Sequence, residues 1–179
     1  MIKYVSILRG INVGGHRKIL MKDLKELYLE LGVLKPLSYI QSGNVIFETN
    51  EESTKKIETL ITNGIKNKFG FDVPVLVRTV EEFRTVVQQS PYFNDDVDMK
   101  SLYFTFLSKV PIETDVKALS DINFGEDTFK IIGKTVHAFI NPPYHKSKFS
   151  NQIIEKKLNC KATTRNWKTV NKLIELSKS

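Results

Sequence analysis

Polar groups suited to holding an anion gather in three stretches of this 179-residue sequence. The first is Leu8-Arg9-Gly10-Ile11-Asn12-Val13-Gly14-Gly15-His16-Arg17-Lys18. The second is the short run Gln41-Ser42-Gly43-Asn44. The third lies near the C-terminus and carries Lys146 and Lys148, then Arg165, Asn166 and Trp167. Arginine offers a planar fork for phosphate or carboxylate, lysine a point charge, and asparagine and glutamine amide donors. Gly14-Gly15 permits positive φ, which lets successive backbone N–H groups line one concavity. The loop lacks the Gly-Lys-Ser/Thr ending of a nucleotide-hydrolysing phosphate loop. Its glycines at 10, 14 and 15 do not match the dinucleotide spacing either. The plain alternative is a glycine-rich turn that merely joins a strand to a helix.

Groups that move protons near neutrality are scarce in these stretches. The three histidines, His16, His137 and His145, stand at no metal-ligand spacing from one another or from Cys160. No nucleophile elbow precedes any serine, so no Ser-His-Asp triad can be read and no catalytic residue is assigned. Cys160 has Lys157 and Lys161 nearby, which would lower its pKa, but no partner base. His137 falls in an alternating strand and reads as half-exposed. Asn94-Asp95-Asp96-Val97-Asp98 holds three aspartates in five residues, yet lacks the glycine and distal glutamate of a calcium loop. No metal and no cofactor is assigned.

Net charge is +7, unevenly spread. Residues 1–80 carry 12 Lys/Arg against 8 Asp/Glu, residues 81–140 carry 6 against 10, and residues 141–179 carry 9 against 2. Basic ends point to an anionic partner, nucleic acid or a nucleotide-like molecule, although lysine-rich solvated faces are common. A single cysteine rules out an internal disulfide and fits a reducing, cytoplasmic setting. No apolar run approaches the ~20 residues of a membrane span, and the N-terminus does not read as a signal peptide.

The elements that would position these groups follow from periodicity. Ile2–Leu8 reads as a strand, and Leu20, Leu24, Leu27 and Leu31 mark a helix. About ten residues connect them, where roughly two to six are usual. Lys35-Pro36 is expected to break the chain before a strand at Leu37–Gln41. A turn at Ser42-Gly43-Asn44 then returns a strand at Val45–Thr49. A helix capped by Ser53 runs to Phe69 with Ile57, Leu60, Ile61 and Ile65 inward, and Val73–Arg78 is a strand. The order β-α-β-β-α-β is the ferredoxin-like split βαβ pattern with an antiparallel sheet. In its 4-1-3-2 strand order, the loop leaving the first strand and the hairpin at 41–44 meet at one end of the sheet.

From residue 81 the order reads α-β-α-β-β, followed by C-terminal helices. A helix covers Val80–Gln89, a strand Ser101–Leu107, a helix Ile112–Ile122, and a hairpin Thr128–Ile132 with Thr135–Ile140 turns at Gly133-Lys134. Asn141–Tyr144 is a proline turn. A helix capped by Ser150 runs from Asn151 to Leu158. A second opens at Thr164, so that Arg165 and Asn166 would stand at its N-terminus as an anion site. Trp167 has helical spacing to Val170 and Ile174 and reads as core. The fold class is therefore α+β, with a ferredoxin-like subdomain at 1–80 and a second αβ subdomain at 81–179.

The blocks LRGINVGG (Leu8–Gly15), YIQSGNVIF (Tyr39–Phe47) and KSKFSN…ATTRNWKTV (Lys146–Val170) together resemble the bacterial family catalogued as domain of unknown function 1697. Lys168 departs from the family, which more often has asparagine there. The resemblance implies an α+β fold with a ferredoxin-like part and brings no activity with it. Three functions stay open. Arg9, Asn12, Gly14, Gly15, Lys18, Gln41, Ser42, Asn44, Lys146, Lys148, Arg165, Asn166 and Trp167 would bind an anionic ligand, nucleic acid first. The same donors would serve an enzyme acting on a phosphorylated small molecule. Or Arg9, Asn12, Asn44 and Asn166 satisfy buried backbone groups where the halves meet, in a protein-interaction module.

Overall fold

A computed structural model describes residues 1–94, 97–141 and 143–178. The first half runs β1 (Ile2–Leu8), α1 (Met21–Glu30), β2 (Leu34–Tyr39), β3 (Asn44–Thr49), α2 (Thr54–Phe69), β4 (Val75–Thr79) and α3 (Val80–Gln88). The second runs β5 (Leu102–Leu107), α4 (Glu113–Ser120), β6 (Thr128–Ile132), β7 (Thr135–Phe139), α5 (Asn151–Leu158), β8 (Ala162–Asn166) and α6 (Trp167–Leu176). These strands form two antiparallel sheets, ordered β2-β3-β1-β4 and β6-β7-β5-β8. The chain is α+β, and the first sheet has the order deduced from the sequence. Two compact units result: residues 1–83 with the segment from Leu173 onward (unit 1), and residues 84–172 (unit 2).

In unit 1 the apolar alternation of β1 puts Tyr4 and Leu8 on the face that α1 and α2 cover, with Val45, Phe47, Val75 and Val77 beside them. Leu24, Leu27 and Tyr28 of α1 and Ile57, Ile61 and Ile65 of α2 complete this core. Each large side chain so buried contributes about 1.5–3 kcal/mol. The Tyr28 hydroxyl is satisfied by Ser6 Oγ at 2.7 Å, and burial drives its pKa far up. Ser53 caps α2 through Lys56 N–H, and Gly70 closes it. Three expectations fail here. Leu20 is exposed, because it precedes α1 as its N-cap. Leu60 faces solvent. Lys35-Pro36 does not break the chain: β2 starts at Leu34 and absorbs the proline in a register shift between Leu34 and Leu37. Strand β2 is an edge strand, where a missing N–H costs no ladder bond.

Unit 2 repeats the plan of unit 1 more fully than its sequence suggests. Leu8 N–H donates to Gly43 O at 2.8 Å, and Leu107 N–H donates to Lys134 O at 2.9 Å. Arg9 N–H donates to Pro74 O at 3.0 Å, and Ser108 N–H to Lys161 O at 2.9 Å. Val5 lies between Ile46 and Arg78, as Phe104 lies between His137 and Arg165. The two registers therefore match residue for residue on the central strands.

This corrects the reading of the C-terminal segment. Residues 162–166 are not the start of a helix. They are edge strand β8, whose Thr164 hydroxyl meets Thr105 Oγ1 at 2.7 Å. Helix α6 begins only at Trp167 and is capped by Asn166, whose Oδ1 accepts Thr169 N–H at 2.9 Å. Thr79 caps α3 in the same position, accepting Glu82 N–H at 3.1 Å. The second half is thus βαββαβα like the first, rather than αβαββ followed by helices. His137 is also buried, at 1% exposure, because both faces of β7 are covered.

Candidate functional site

The connection from β1 to α1 spans Arg9–Leu20 and has a buried root and an exposed tip. At the root, Ile11 is fully buried. Asn12 acts as a pin. Its Oδ1 accepts Ile19 N–H at 2.9 Å, and its Nδ2 donates to Ile19 O and to Gln41 O, both at 2.9 Å. The side chain therefore ties the two ends of the loop together and fastens them to the β2–β3 hairpin. Asn12 holds φ +56°, a conformation that asparagine tolerates better than most residues. The two loops do meet at one end of the sheet, as the strand order required.

Beyond the pin, residues 13–18 form a small finger. Asn12 N–H donates to Arg17 O at 3.2 Å, and His16 N–H donates to Val13 O at 3.0 Å. Gly14 and Gly15, at φ +58° and +79°, make the two-residue turn between them. Positive φ at both central positions is the type I′ requirement for a tight hairpin. The glycines are thus explained by the turn, and the His16 N–H is spent inside it. All six finger residues are exposed. Neither Arg17 nor Lys18 forms an ion pair among the described residues.

Beside the finger lies a hollow of about 330 Å³, lined by Asn12, Gly15, Lys18, Ile19, Leu20, Met21 and Gln41. Helix α1 starts on its wall, and Leu20 offers no side-chain acceptor to the first-turn N–H groups. The hollow thus combines a helix N-terminus, a lysine and the edge of the finger. Among the described residues its lining holds no carboxyl or imidazole group. It offers hydrogen-bond donors and one cation and, among the described residues, no side chain placed to transfer a proton near neutral pH.

The other expected residues fall into two groups. Arg9 is half-buried at the root and engaged within the chain. Asn44 is wholly buried, its Nδ2 donating to Tyr39 O at 3.1 Å and to Ser42 Oγ at 3.0 Å. Asn12, Ser42 and Asn44 therefore serve the architecture of unit 1. Lys146, Lys148, Arg165, Asn166 and Trp167 belong to unit 2. Lys146 and Lys148 are exposed on either side of Ser147, whose Oγ donates to Asp127 Oδ2 and accepts Phe149 N–H at 2.9 Å. Arg165 donates Nη1 to Thr164 O at 2.9 Å and to Thr163 Oγ1 at 3.0 Å. Burial pushes its pKa down to about 10, so it stays cationic at neutral pH. Asn166 spends its side-chain oxygen on capping its own helix, and the helix N-terminus lies at Trp167 rather than at Thr164. Trp167 is half-buried, with its Nε1 buried and without a hydrogen-bond partner among the described residues.

Two further groups differ from expectation. Arg78, which no motif marked, is buried at the position in β4 that Arg165 takes in β8. It donates Nη1 to Val77 O at 2.8 Å and pairs with Glu58 at 3.8 Å. A basic residue in a short apolar strand was the only available signal. The Cys160 thiol is pushed up by burial rather than lowered by its lysines. Asp95, Asp96 and Pro142 lie outside the described residues, and with them part of the acidic loop and of the proline turn. Among the described residues no group of three or more His, Cys, Asp and Glu could hold a metal ion, and no helix is long and apolar enough to cross a membrane.

Comparison with known proteins agrees with this architecture. The family described as a protein of unknown function, DUF1697, matches residues 1–137. A solved structure of the conserved bacterial protein SP0830 from Streptococcus pneumoniae is similar, with a TM-score of 0.78 and 21% identity over 98% of both chains. That likeness concerns the fold. No curated protein matches the chain.

Proposed function

This chain belongs to the DUF1697 family, whose description names no activity, and from its own geometry we propose that it binds an anionic ligand, nucleic acid foremost, at the finger of unit 1. One observation carries the reading. Arg17 and Lys18, with His16 beside them, stand on an exposed finger without ion pairs among the described residues, next to a hollow where α1 begins uncapped. The ligand-facing residues are Gly15, Arg17, Lys18 and Gln41. Asn12, Ser42 and Asn44 hold the loop in shape.

The mode of binding differs from that of ferredoxin-like RNA readers, which use the open face of the sheet. Here Val5, Ile7, Ile46, Leu76 and Arg78, on the face away from α1 and α2, are all buried. The contact is a finger with a few phosphate groups. Fluorescence anisotropy with labelled RNA and DNA oligomers at low salt tests this. Arg17→Ala/Lys18→Ala should weaken binding and reduce the slope of log K against log salt by about 1.4 to 1.8, two contacts' worth. Equal affinity and slope in both proteins would refute the reading.

A phosphorylated small molecule is the second reading, supported by the size of the hollow, which fits small ligands of roughly 300–1,000 Å³. In the same assay a mononucleotide would then compete fully with the oligomer. An enzyme at this site would take its acid–base group from a metal ion or from the substrate itself.

A further inference from the structure

A second basic hollow lies within unit 2. Its volume is about 620 Å³, and it sits where β5 ends and β8 begins. Lys109 follows β5, Lys156 stands on α5, and Lys161 precedes β8; all three line the hollow and are exposed. None forms an ion pair among the described residues. Lysines elsewhere on the chain do find carboxylates: Lys66 meets Asp72 at 2.9 Å, and Lys35 meets Glu48 at 3.1 Å. Among the described residues, Glu155 is the only carboxylate in the lining, and it is engaged by the fold, since its Oε1 accepts Ala162 N–H at 2.9 Å. Asp115 on α4 acts electrostatically on Cys160 but does not line the hollow.

The backbone beneath the lysines is clasped. Ser108 N–H donates to Lys161 O at 2.9 Å, and Lys161 N–H donates to Ser108 Oγ at 3.0 Å. Lys109 and Lys161 therefore leave fixed points of the fold. Three ammonium groups around one hollow repel each other. Lys156 is favoured by its place in the last turn of α5, but Lys109 and Lys161 stand outside any helix and gain no such support. A bound polyanion would relieve it. Among the described residues the lining contains no aromatic ring, so a nucleobase would find no surface there on which to stack.

We propose that unit 2 carries a binding site for a diphosphate or longer polyphosphate group at Lys109, Lys156 and Lys161, recognised by charge and without contact to a base. A diphosphate brings more negative charge and a longer row of acceptor oxygens to the three lysines than a single phosphate does. Inorganic pyrophosphate and a nucleoside diphosphate present the same chemistry, and the test separates them.

Cys160 supplies the reporter. It is the only cysteine in the sequence and lies half-buried in this hollow. Its alkylation by iodoacetamide at pH 9, at matched ionic strength, reads the occupancy of the hollow. Pyrophosphate should slow the reaction at least fivefold, and orthophosphate at the same concentration should not. The double variant Lys156→Ala/Lys161→Ala, exposed at both positions, should lose that protection while keeping its urea midpoint. Each protein is compared with itself with and without ligand, because the substitutions also alter the local charge. Equal protection by pyrophosphate and a nucleoside diphosphate supports recognition of the diphosphate alone. Protection by the nucleotide only, or equally by orthophosphate, overturns the proposed ligand class. No protection by either diphosphate, or protection that survives in the double variant, overturns the site.

Discussion

The two halves of the chain share one βαββαβα plan, and the units built on them part company at the link between first strand and first helix. Unit 2 crosses from β5 to α4 with Ser108–Ile112, five residues. Unit 1 takes Arg9–Leu20, twelve residues, for the same step. Five lies within the ordinary range for such links and twelve does not. Unit 2 therefore demonstrates that the plan closes without the extra chain. In unit 1 the surplus divides. Ile11, Asn12 and Ile19 are buried or pinned and have become part of the fold. Val13–Lys18 is exposed and adds nothing to the core. The comparison separates what this loop does for stability from what is left over for a ligand.

The hairpins beneath the two links should respond most differently. At Gly43, φ is +77°, and a Cβ would fall 2.6 Å from Leu8 Cβ and 2.9 Å from Ile11 Cδ1. Both contacts come from the strand end and root that the hairpin underlies. Gly43→Ala should cost about 4 kcal/mol, from about 1–2 for the left-handed backbone and about 1–3 for overpacking. Gly133, in the matching hairpin of unit 2, holds φ +56° with nothing within 4 Å of an added Cβ. Gly133→Ala should cost only the backbone share, about 1 kcal/mol. Urea unfolding of the two variants measures the gap. Equal costs would mean that the root of the long loop is no tighter than the short one.

The next largest difference is in pH. His137 occupies in β7 the position that Ile46 occupies in β3. It is buried edge-on to Phe104 at 5.5 Å, and its Nδ1 has no partner among the described residues. Burial depresses its pKa from 6.5 to about 4. The unfolded chain thus binds the proton more readily than the folded one. Stability is full above pH 6.5, falls as pH drops from there towards 4, and levels off below, a loss of about 3 kcal/mol. Glu48 and Glu51, whose pKa values are lowered by Lys35 and by Ser53 N–H, add their losses at more acid pH. His137→Ile copies unit 1 at this position. It should abolish the decline between pH 6.5 and 4 while leaving the fold intact, as followed by denaturation midpoints across pH. A profile unchanged by the substitution would assign the acid sensitivity elsewhere.

The same comparison explains what the sequence made legible. Unit 1 could be read nearly to its strand order, because Ile2–Leu8 and the Ser42-Gly43-Asn44 turn are strong local signals. The duplication was legible only in part: the α-β-α-β-β order from residue 81 partly repeats the first half, but the matching residues differ in chemistry, Ile46 against His137, Val5 against Phe104, Gly43 against Lys134. Strand β8 was hidden because Trp167, Val170 and Leu173 set a helical period that runs smoothly back into Thr164. Only pairing with β5, a contact distant in sequence, decides otherwise. Of the site, the meeting of the two loops followed from topology. Which asparagines face a ligand did not, since Asn12 and Asn44 turn inward on bonds that depend on the folded loop.

The smallest effect separates root from tip inside the long loop itself. Asn12→Ala removes three hydrogen bonds and leaves Ile19 N–H, Ile19 O and Gln41 O to find water at a partly open site. It should cost about 2 kcal/mol. Arg17→Ala/Lys18→Ala removes no ion pair among the described residues and only exposed side chains, so stability should stay within about 0.5 kcal/mol of the parent. Oligomer binding should respond in the opposite sense, falling in the double variant that remains stable. Thermal unfolding and anisotropy on the same three proteins decide the matter. If the tip variant melts low, the finger is part of the fold, and unit 1 differs from unit 2 only in architecture. If it melts like the parent and no longer binds, the residues that unit 2 does without are the ones that meet the ligand.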